Sequence, residues 1–391
     1  MNPNDIVIVA ARRTPVGGFL GQLSPLSAPA LGTAVLEAVL ADSGVEAAHI
    51  SEVLMGCVLP AGIGQAPARQ AALGAGIPPA VGCTTINKVC GSGMKTIMLG
   101  HDLCLAGSAE LVLAGGMESM SNAPYLLPKA RQGYRFGHQQ VLDHMFLDGL
   151  ENAQDGQRMG YFAELCVDRY GFTREQQDAY AAESVRRAVA ALDNGALATE
   201  ILPLRVPGRG EAQRVHEDEQ PRRSDISKIP TMKPAFREGG TVTAANASSI
   251  SDGAAAVLLM KRATAITLGL TPLARIVAHA SHAQAPEEFT TAPIGAIKKL
   301  QDKLGWSEAD LYEINEAFAV VTLAAMEELG LDHAKVNVNG GACAVGHPIG
   351  ASGARLVVTL LHALRQQGLQ RGIAALCIGG GEATAMALEA E

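Results

Sequence analysis

The chain has 391 residues, 48% hydrophobic and 18% charged, with a formal net charge of −8. That composition describes a globular protein long enough for two or three buried cores. The acidic balance, with no basic stripe interleaved with aromatics, argues against a nucleic-acid partner, and no apolar run reaches the length of a membrane span.

In chain order, residues 6–11 and 52–58 read as strands around a helix at 28–42. The opening residues lack the basic start and long apolar core of a signal peptide. A further helix follows Cys90, and 110–114 reads as a strand. Residues 120–240 differ in character, holding most of the tyrosines and many charges. A helix at 174–192, with Thr173 as N-cap and Gly195 near its end, stands out in this block. Proline and arginine recur from 203 to 234, which points to irregular, partly exposed structure. From residue 241 the alternation resumes and echoes the beginning: a strand at 273–280, a helix at 293–304, a strand at 311–314, a glycine-rich loop at 341–353, a helix at 354–367 and a strand at 373–381. The expectation is an α/β fold of two similar halves. The first half comprises residues 1–119 and 241–270, interrupted by an inserted loop domain at 120–240, and the second comprises 271–391.

Seven cysteines (57, 83, 90, 104, 166, 343 and 377) form an odd set without a C-x-x-C pair. This disfavours a disulfide framework and a zinc site, and fits a reducing, cytoplasmic setting.

Four short segments carry reactive groups. In Asn87-Lys88-Val89-Cys90-Gly91-Ser92-Gly93 the cysteine sits between a strand and a helix, where the positive end of the helix dipole favours thiolate. In Gly346-His347-Pro348 the proline keeps the histidine out of a helix interior, and the histidine can act as a base toward a thiol. Cys343 lies four residues earlier, but the surrounding glycines argue against a helix aligning the two. Cys377-Ile378-Gly379-Gly380-Gly381 ends an apolar strand in a glycine run that can point N–H groups at an oxyanion. In Asn315-Glu316-Ala317-Phe318 the asparagine either caps a helix or holds a water near a catalytic centre. Taken singly, a buried core cysteine, a hydrogen-bonded loop histidine and a sharply turning strand account for the same residues.

Together, and in this order, the four segments resemble the thiolase family. The likeness extends through Ala11-Arg12-Arg13-Thr14-Pro15, Gly115-Gly116-Met117-Glu118-Ser119-Met120 and residues 241–253, and so covers essentially the whole chain. The resemblance implies a duplicated five-layer α-β-α-β-α fold with an inserted loop domain. It implies Cys90 as the acyl-accepting nucleophile, His347 as its activator, and Cys377 as the acid/base at the α-carbon of acetyl-CoA. Asn315 would hold a water, and the N–H groups of Cys90 and Gly379 would bind a thioester oxygen. Ser248 would lie near the pantetheine arm, Arg222 against the nucleotide, and Met159 in the acyl pocket. The substrates would be acyl-CoA and CoA, with no metal or organic cofactor, and the assembly a homodimer or homotetramer.

One departure concerns chain length. Where short-chain members carry His-Met-Gly, this chain has Arg158-Met159-Gly160. Arg158 is expected to turn to solvent or to pair with Glu164, and Tyr161 or Phe162 to wall off the pocket. The leading reading is condensation of two acetyl-CoA to acetoacetyl-CoA and CoA, with the reverse thiolysis. Its rivals are a longer-chain 3-ketoacyl-CoA thiolase of degradation, a decarboxylating ketoacyl synthase and a non-catalytic carrier. The synthase is disfavoured because Cys377 stands where those enzymes place a histidine.

Overall fold

A computed structural model describes residues 2–208 and 210–391. Its frame is one mixed sheet. The long strands are β1 (Ile6–Arg13), β2 (Glu52–Gly56), β3 (Gly82–Ile86), β4 (Leu111–Ser119), β5 (Ser251–Lys261), β6 (Ala274–Ala283), β7 (Leu311–Ile314), β8 (Arg371–Ile378) and β9 (Glu382–Ala390). They lie in the order β3-β2-β4-β5-β1-β6-β9-β8-β7, with the short Gly17–Gly18 strand added against β5. The order is symmetric about the β1–β6 junction, where only Val7↔Arg275 and Ile8↔Ala274 pair. Outward from that junction each half pairs antiparallel, antiparallel and then parallel, with β3 adding one further parallel strand to the first half, and the register shifts at equivalent places, Ile8/Ala10 and Ile276/Ala278. The echo seen in the sequence is therefore present in the backbone.

The principal helices are α1 (Ala28–Ser43), α2 (Pro67–Gly74), α3 (Ser92–Ala106), α4 (Met159–Tyr170), α5 (Arg174–Asp193), α6 (Ala292–Leu304), α7 (Ala319–Leu329) and α8 (Ile349–Gln367). Local chemistry sets their ends. Ser27 accepts from Ala30 N–H to start α1, and Gly44 in the left-handed region stops it. Thr173 and Gln176 form a reciprocal capping box at α5.

Strand alternation sorts side chains into layers. Val7, Leu113 and Leu258 face outward onto Leu31 and Val35 of α1. Ile8, Val112 and Val257 face inward, as do Leu376 and Met386 of the second half. All five meet Met94 and Ile97 of α3 and Leu356 and Leu360 of α8. On the far side Ile373 and Ala385 pack onto Ile297 of α6 and Val320 of α7. Helices, sheet, central helices, sheet and helices make five layers, each large side chain contributing about 1.5–3 kcal/mol by its burial.

The central helices touch at their first turns. A Cβ on Gly93 would lie 2.8 Å from Ala354 N and 3.0 Å from Gly350 O, and one on Gly353 would lie 2.8 Å from Met94 Cβ. α8 begins at Ile349, five residues earlier than the sequence pattern indicated, so Gly350 and Gly353 belong to a helix and not to a loop. They are glycine because backbone meets backbone there. The expected glycine loop shrinks to one helical turn, Ala342–Val345, ended by Gly346 at φ +105°.

After Ser119 the chain leaves the main sheet and rejoins it at Ser251. The intervening α4 and α5 pack mainly on the second half. Buried Arg13 of β1 ties this segment down through Glu200 at 2.5 Å and Asp218 at 2.7 and 2.9 Å. Among the described residues no helix is long and apolar enough to cross a membrane, and all seven cysteines are free.

Gly353→Ala is expected to lower stability by about 1–3 kcal/mol, the usual cost of overpacking, and to reduce turnover more than Gly44→Ala, whose added methyl meets open space. Thermal midpoints and activity of the two variants side by side check this.

Candidate active site

Cys90 lies between β3 and α3 on a turn that its neighbours hold in place. Val89 has φ +46°, a strained value for a β-branched residue. The turn is stitched by Asn87 Oδ1, which accepts from Val89 N–H at 2.9 Å, and by Ser92 Oγ, which donates to Val89 O at 2.6 Å and accepts from Lys88 N–H at 2.8 Å. The strain fixes where the sulfur points. The N–H groups of Cys90 and Gly379 both hydrogen-bond to that sulfur.

The other candidates come from the second half. Cys377 is the penultimate residue of β8 and is close enough to Cys90 for their charges to interact. The turn after it is made by Gly380 and Gly381 at φ +90° and +88°, and a Cβ at Gly381 would run into the backbone of Gln284 and Ala285. Asn315 follows β7 directly. His347 enters from the loop before α8, its N–H bonded to Ser249 O at 3.1 Å and Ser251 Oγ at 3.2 Å.

The histidine's tautomer follows from its neighbours. Ser352 Oγ donates to Pro348 O at 2.9 Å and lies 2.5 Å from His347 Nδ1. The serine's one proton is committed to the carbonyl, so Nδ1 carries the imidazole proton and Nε2 presents a lone pair. Asn315 Nδ2 faces that Nε2 at 3.4 Å. Arg355 Nη2 donates to Asn315 Oδ1 at 3.4 Å, and Arg355 Nη1 donates to Glu313 at 3.2 Å, so the amide is oriented from behind.

Burial dominates the electrostatics. It pushes the Cys90 thiol up to about 11, against the two N–H donors that favour thiolate. The dipole argument made from the sequence is thus outweighed, because the desolvation of a thiolate exceeds what the end of one helix returns. Cys377 is also held well above the ordinary thiol value by burial and by the neighbouring sulfur. His347 is pushed down to about 3 by burial and by the Arg355 charge. The resting site at neutral pH is therefore uncharged: two thiols and one neutral imidazole.

These groups sit on a cavity of about 380 Å³. Cys90, His347, Cys377, Gly379, Ser248 and Met159 all line it, and its walls are largely apolar, with Phe146, Leu150, Phe236, Phe289 and Phe318. Met159 opens α4, and a methyl placed on Gly379 would sit 3.5 Å from its sulfur. Asn315 stands behind the lining, reaching the site through His347.

Two expectations are corrected. Arg158 is exposed and lines the cavity, but Glu164 is buried and taken by the N–H groups of Thr241 and Val242 and by Arg237. Tyr161 and Phe162 do not line the cavity. Phe162 turns into the core, edge-on to Phe289, and Phe289 forms the wall. Arg222 is also absent from the lining. It lies on the exposed surface between Glu217 at 2.6 Å and Asp193 at 2.9 Å.

Several supporting residues were not legible beforehand. Ser352 and Arg355 look like ordinary helix residues in sequence. Glu316 accepts from Tyr180 at 2.8 Å, Ser184 at 2.7 Å, Asn337 at 2.8 Å and Cys343 N–H at 3.0 Å, and so joins the inserted segment to the histidine loop. Glu118, buried near Cys90, accepts N–H groups from Val58, Leu59 and Gly350, and burial raises it to about 7. The Glu118 and Glu316 positions carried a signal, as parts of the Gly-Gly-Met-Glu-Ser-Met and Asn-Glu-Ala-Phe runs, but their partners did not.

Alkylation of Cys90 by iodoacetamide should accelerate by about tenfold per pH unit from neutral pH to about 10, as the thiolate fraction grows. A rate already level near pH 7, followed by mass spectrometry of the Cys90 peptide, would show that the helix end wins over burial.

A family model described as Thiolase, N-terminal domain matches residues 6–263, and one described as Thiolase, C-terminal domain matches 270–390. The chain is 51% identical over 388 residues to an acetyl-CoA acetyltransferase of Pseudomonas aeruginosa, covering 98% of this chain and 99% of that protein. It is also 51% identical over 394 residues to acetyl-CoA acetyltransferase 2 of Arabidopsis thaliana, covering 100% of this chain and 98% of that protein. The crystal structure of the Bacillus anthracis acetyl-CoA acetyltransferase superposes with a TM-score of 0.97 at 41% identity, covering 99% of both chains. An Ascaris suum thiolase crystallised with coenzyme A superposes with a TM-score of 0.94 at 43% identity, covering 99% of this chain and 100% of that one. Two family models that between them span nearly the whole chain, and relatives about half identical from end to end, place this protein in the thiolase family.

Proposed function

We propose that the chain is an acetyl-CoA acetyltransferase in which Cys90 takes the acetyl group of one acetyl-CoA and Cys377 serves the α-carbon of the second. The acyltransferase activity is that of its full-length relatives. The observation that carries the residue roles is the convergence of two thiols, one imidazole lone pair and two N–H donors on one apolar cavity. A carbon–carbon bond between two thioesters needs a covalently held electrophile and a carbanion equivalent, and two cysteines with separate tasks meet that need.

In the first half-reaction the Cys90 sulfur attacks the thioester carbonyl as its proton passes to His347 Nε2. The developing oxyanion lies against the N–H groups of Cys90 and Gly379, and the CoA thiolate leaves with the proton of Cys377, which makes that sulfur a thiolate while His347 keeps the proton of Cys90. In the second, the Cys377 sulfur takes a proton from the methyl carbon of a new acetyl-CoA. The enolate oxygen is met by His347 and by a water on Asn315. The carbanion then displaces Cys90 from the acyl group, giving acetoacetyl-CoA and returning the thiol. A site that starts neutral and lies in a largely apolar cavity keeps each proton transfer among its own groups.

Ser248 on the lining and Met159 beside Gly379 fit contacts with the pantetheine arm and the acetyl group. Arg222 remains the proposed neighbour of the nucleotide, with the carboxylates of Glu217 and Asp193 as partners it would share. The relative from Ascaris suum holds coenzyme A, and CoA thioesters are the substrates proposed here. A homodimer or homotetramer is supported by exposed Tyr125, Leu127, Phe136 and Val141 on the inserted segment. A reducing, cytoplasmic setting is supported by seven unpaired cysteines.

Incubation with acetyl-CoA should place one acetyl group on Cys90, detected by mass spectrometry. Cys377→Ala should still acquire it but neither condense nor thiolyse. An adduct on any other cysteine, or loss of acylation in Cys377→Ala, would break the assignment. Removing the hydroxyl in Ser352→Ala should lower kcat about tenfold, the worth of one hydrogen bond of ~1.4 kcal/mol, with KM little changed. Acetoacetyl-CoA should show the highest kcat/KM in a chain-length series of 3-ketoacyl-CoA thiolysis, because Phe146, Phe236, Phe289 and Phe318 close the cavity. A ten-carbon substrate turned over more efficiently would favour the degradative, longer-chain reading.

A further inference from the structure

Away from the cavity, three side chains with metal-ligating atoms converge on one point. His101 and Asp102 are consecutive residues of α3, and His279 comes from β6 in the other half. Neighbours in a helix ordinarily diverge by about 100°, yet here both approach the same space. His101 Nδ1 and His279 Nε2 each lie 2.9 Å from one oxygen, Asp102 Oδ1, and the three ligand atoms are all within 4.8 Å of one another. The imidazoles meet edge to face, 5.1 Å apart at 89°. The histidine side chains are 13% and 17% exposed, whereas Asp102 is half exposed, so an entry path opens on the carboxylate side.

We propose that His101, Asp102 and His279 form a binding site for a divalent first-row transition ion, with zinc as the reference case, that staples α3 to β6. Two imidazoles and one carboxylate are the ligand set of such ions, whereas magnesium and calcium take oxygen ligands. Tetrahedral zinc sets its ligand atoms about 3.3 Å apart, so the two 2.9 Å separations need to widen by only a few tenths of an ångström. No net proton is released from the neutral imidazoles. Each moves its N–H to the other ring nitrogen, and the vacated lone pair goes to the ion. A fourth position stays open to water. None of the three residues lines the substrate cavity, which makes the ion a clamp and not a reaction centre. Because α3 starts two residues after Cys90 and β6 belongs to the half that carries His347 and Cys377, the clamp joins the two halves that share the site. Lys303, near enough for its charge to act on His279, opposes a cation.

Tag-free, chelator-treated full-length protein titrated with zinc by calorimetry, with magnesium as the control, tests this. One zinc equivalent should bind, with at least tenfold weaker affinity in both His279→Gln and Asp102→Asn. Zinc should raise the thermal midpoint of the unmodified protein by several degrees and leave that of the variants unmoved. Both variants should retain thiolase activity without zinc, which also shows that they fold. His101→Gln carries the same reading if either does not. Cobalt should report nitrogen and oxygen ligation, with no sulfur-to-metal charge-transfer band. Unchanged zinc affinity in the variants, no binding at micromolar zinc, or a cobalt spectrum of sulfur ligation alone would overturn the site, placing any metal on the active-site thiols.

Discussion

The whole site depends on a steric constraint: the first turns of α3 and α8 cross with backbone against backbone. Gly93 and Gly353 leave no room for a methyl between the helices, Gly116 brings β4 against the backbone of Gly350, and a methyl on Gly350 would meet Glu118 and the β4 backbone. One helix follows Cys90 and the other follows His347. Their close crossing is what lets a cysteine from the first half and a histidine from the second line one cavity. A close-packed interior does not yield to an added carbon without moving its neighbours, so the distance between the two groups is set by packing and needs no bond between them.

From that crossing follows the electrostatic state. The residues at the crossing are buried, and burial costs an ion more than a helix end or two N–H donors return. The result is a pair of protonated thiols beside an imidazole held far below its ordinary value. Such a site holds Cys90 as the thiol, the less reactive form. A short relay from Arg355 through Asn315 to His347, with Ser352 on the other ring nitrogen, then determines where the proton can go. The four side chains come from the residue after β7, the loop before α8 and α8 itself, elements anchored in the deepest layer of the fold.

The inserted segment supplies the substrate's surroundings. It leaves the sheet after Ser119 and returns at Ser251, contributing Phe146, Leu150, Met159 and Phe236 to the cavity. Two buried polar centres hold it in register with the catalytic layers. Arg13 reaches from β1 to Glu200 and Asp218, and Glu316 reaches from the end of β7 to Tyr180 and Ser184 of α5. Buried ion pairs add little net stability over apolar packing, but breaking one leaves a charge without a partner. They therefore specify where the segment docks.

The sequence by itself determined the family and the duplication, and it singled out Cys90, His347, Cys377 and Asn315 as candidates. Each depends on local order: reactive residues framed by glycines at the ends of periodic segments, repeated in the same succession in both halves. The capping box at Thr173 was legible for the same reason, since its partners lie within one turn. What only the tertiary structure decided depends on contacts between distant residues. Gly350 and Gly353 resembled a loop because propensity sees their flexibility and not the helix packed against them. The Cys90 thiol looked activated because a helix end is visible in sequence, whereas the burial that outweighs it is assembled from both halves. Glu164 looked available to Arg158 from its place in the same helix, but backbone N–H groups more than seventy residues away had already claimed it. Local geometry is written in neighbouring residues, while solvation, proton affinity and the choice of partner belong to the packed whole.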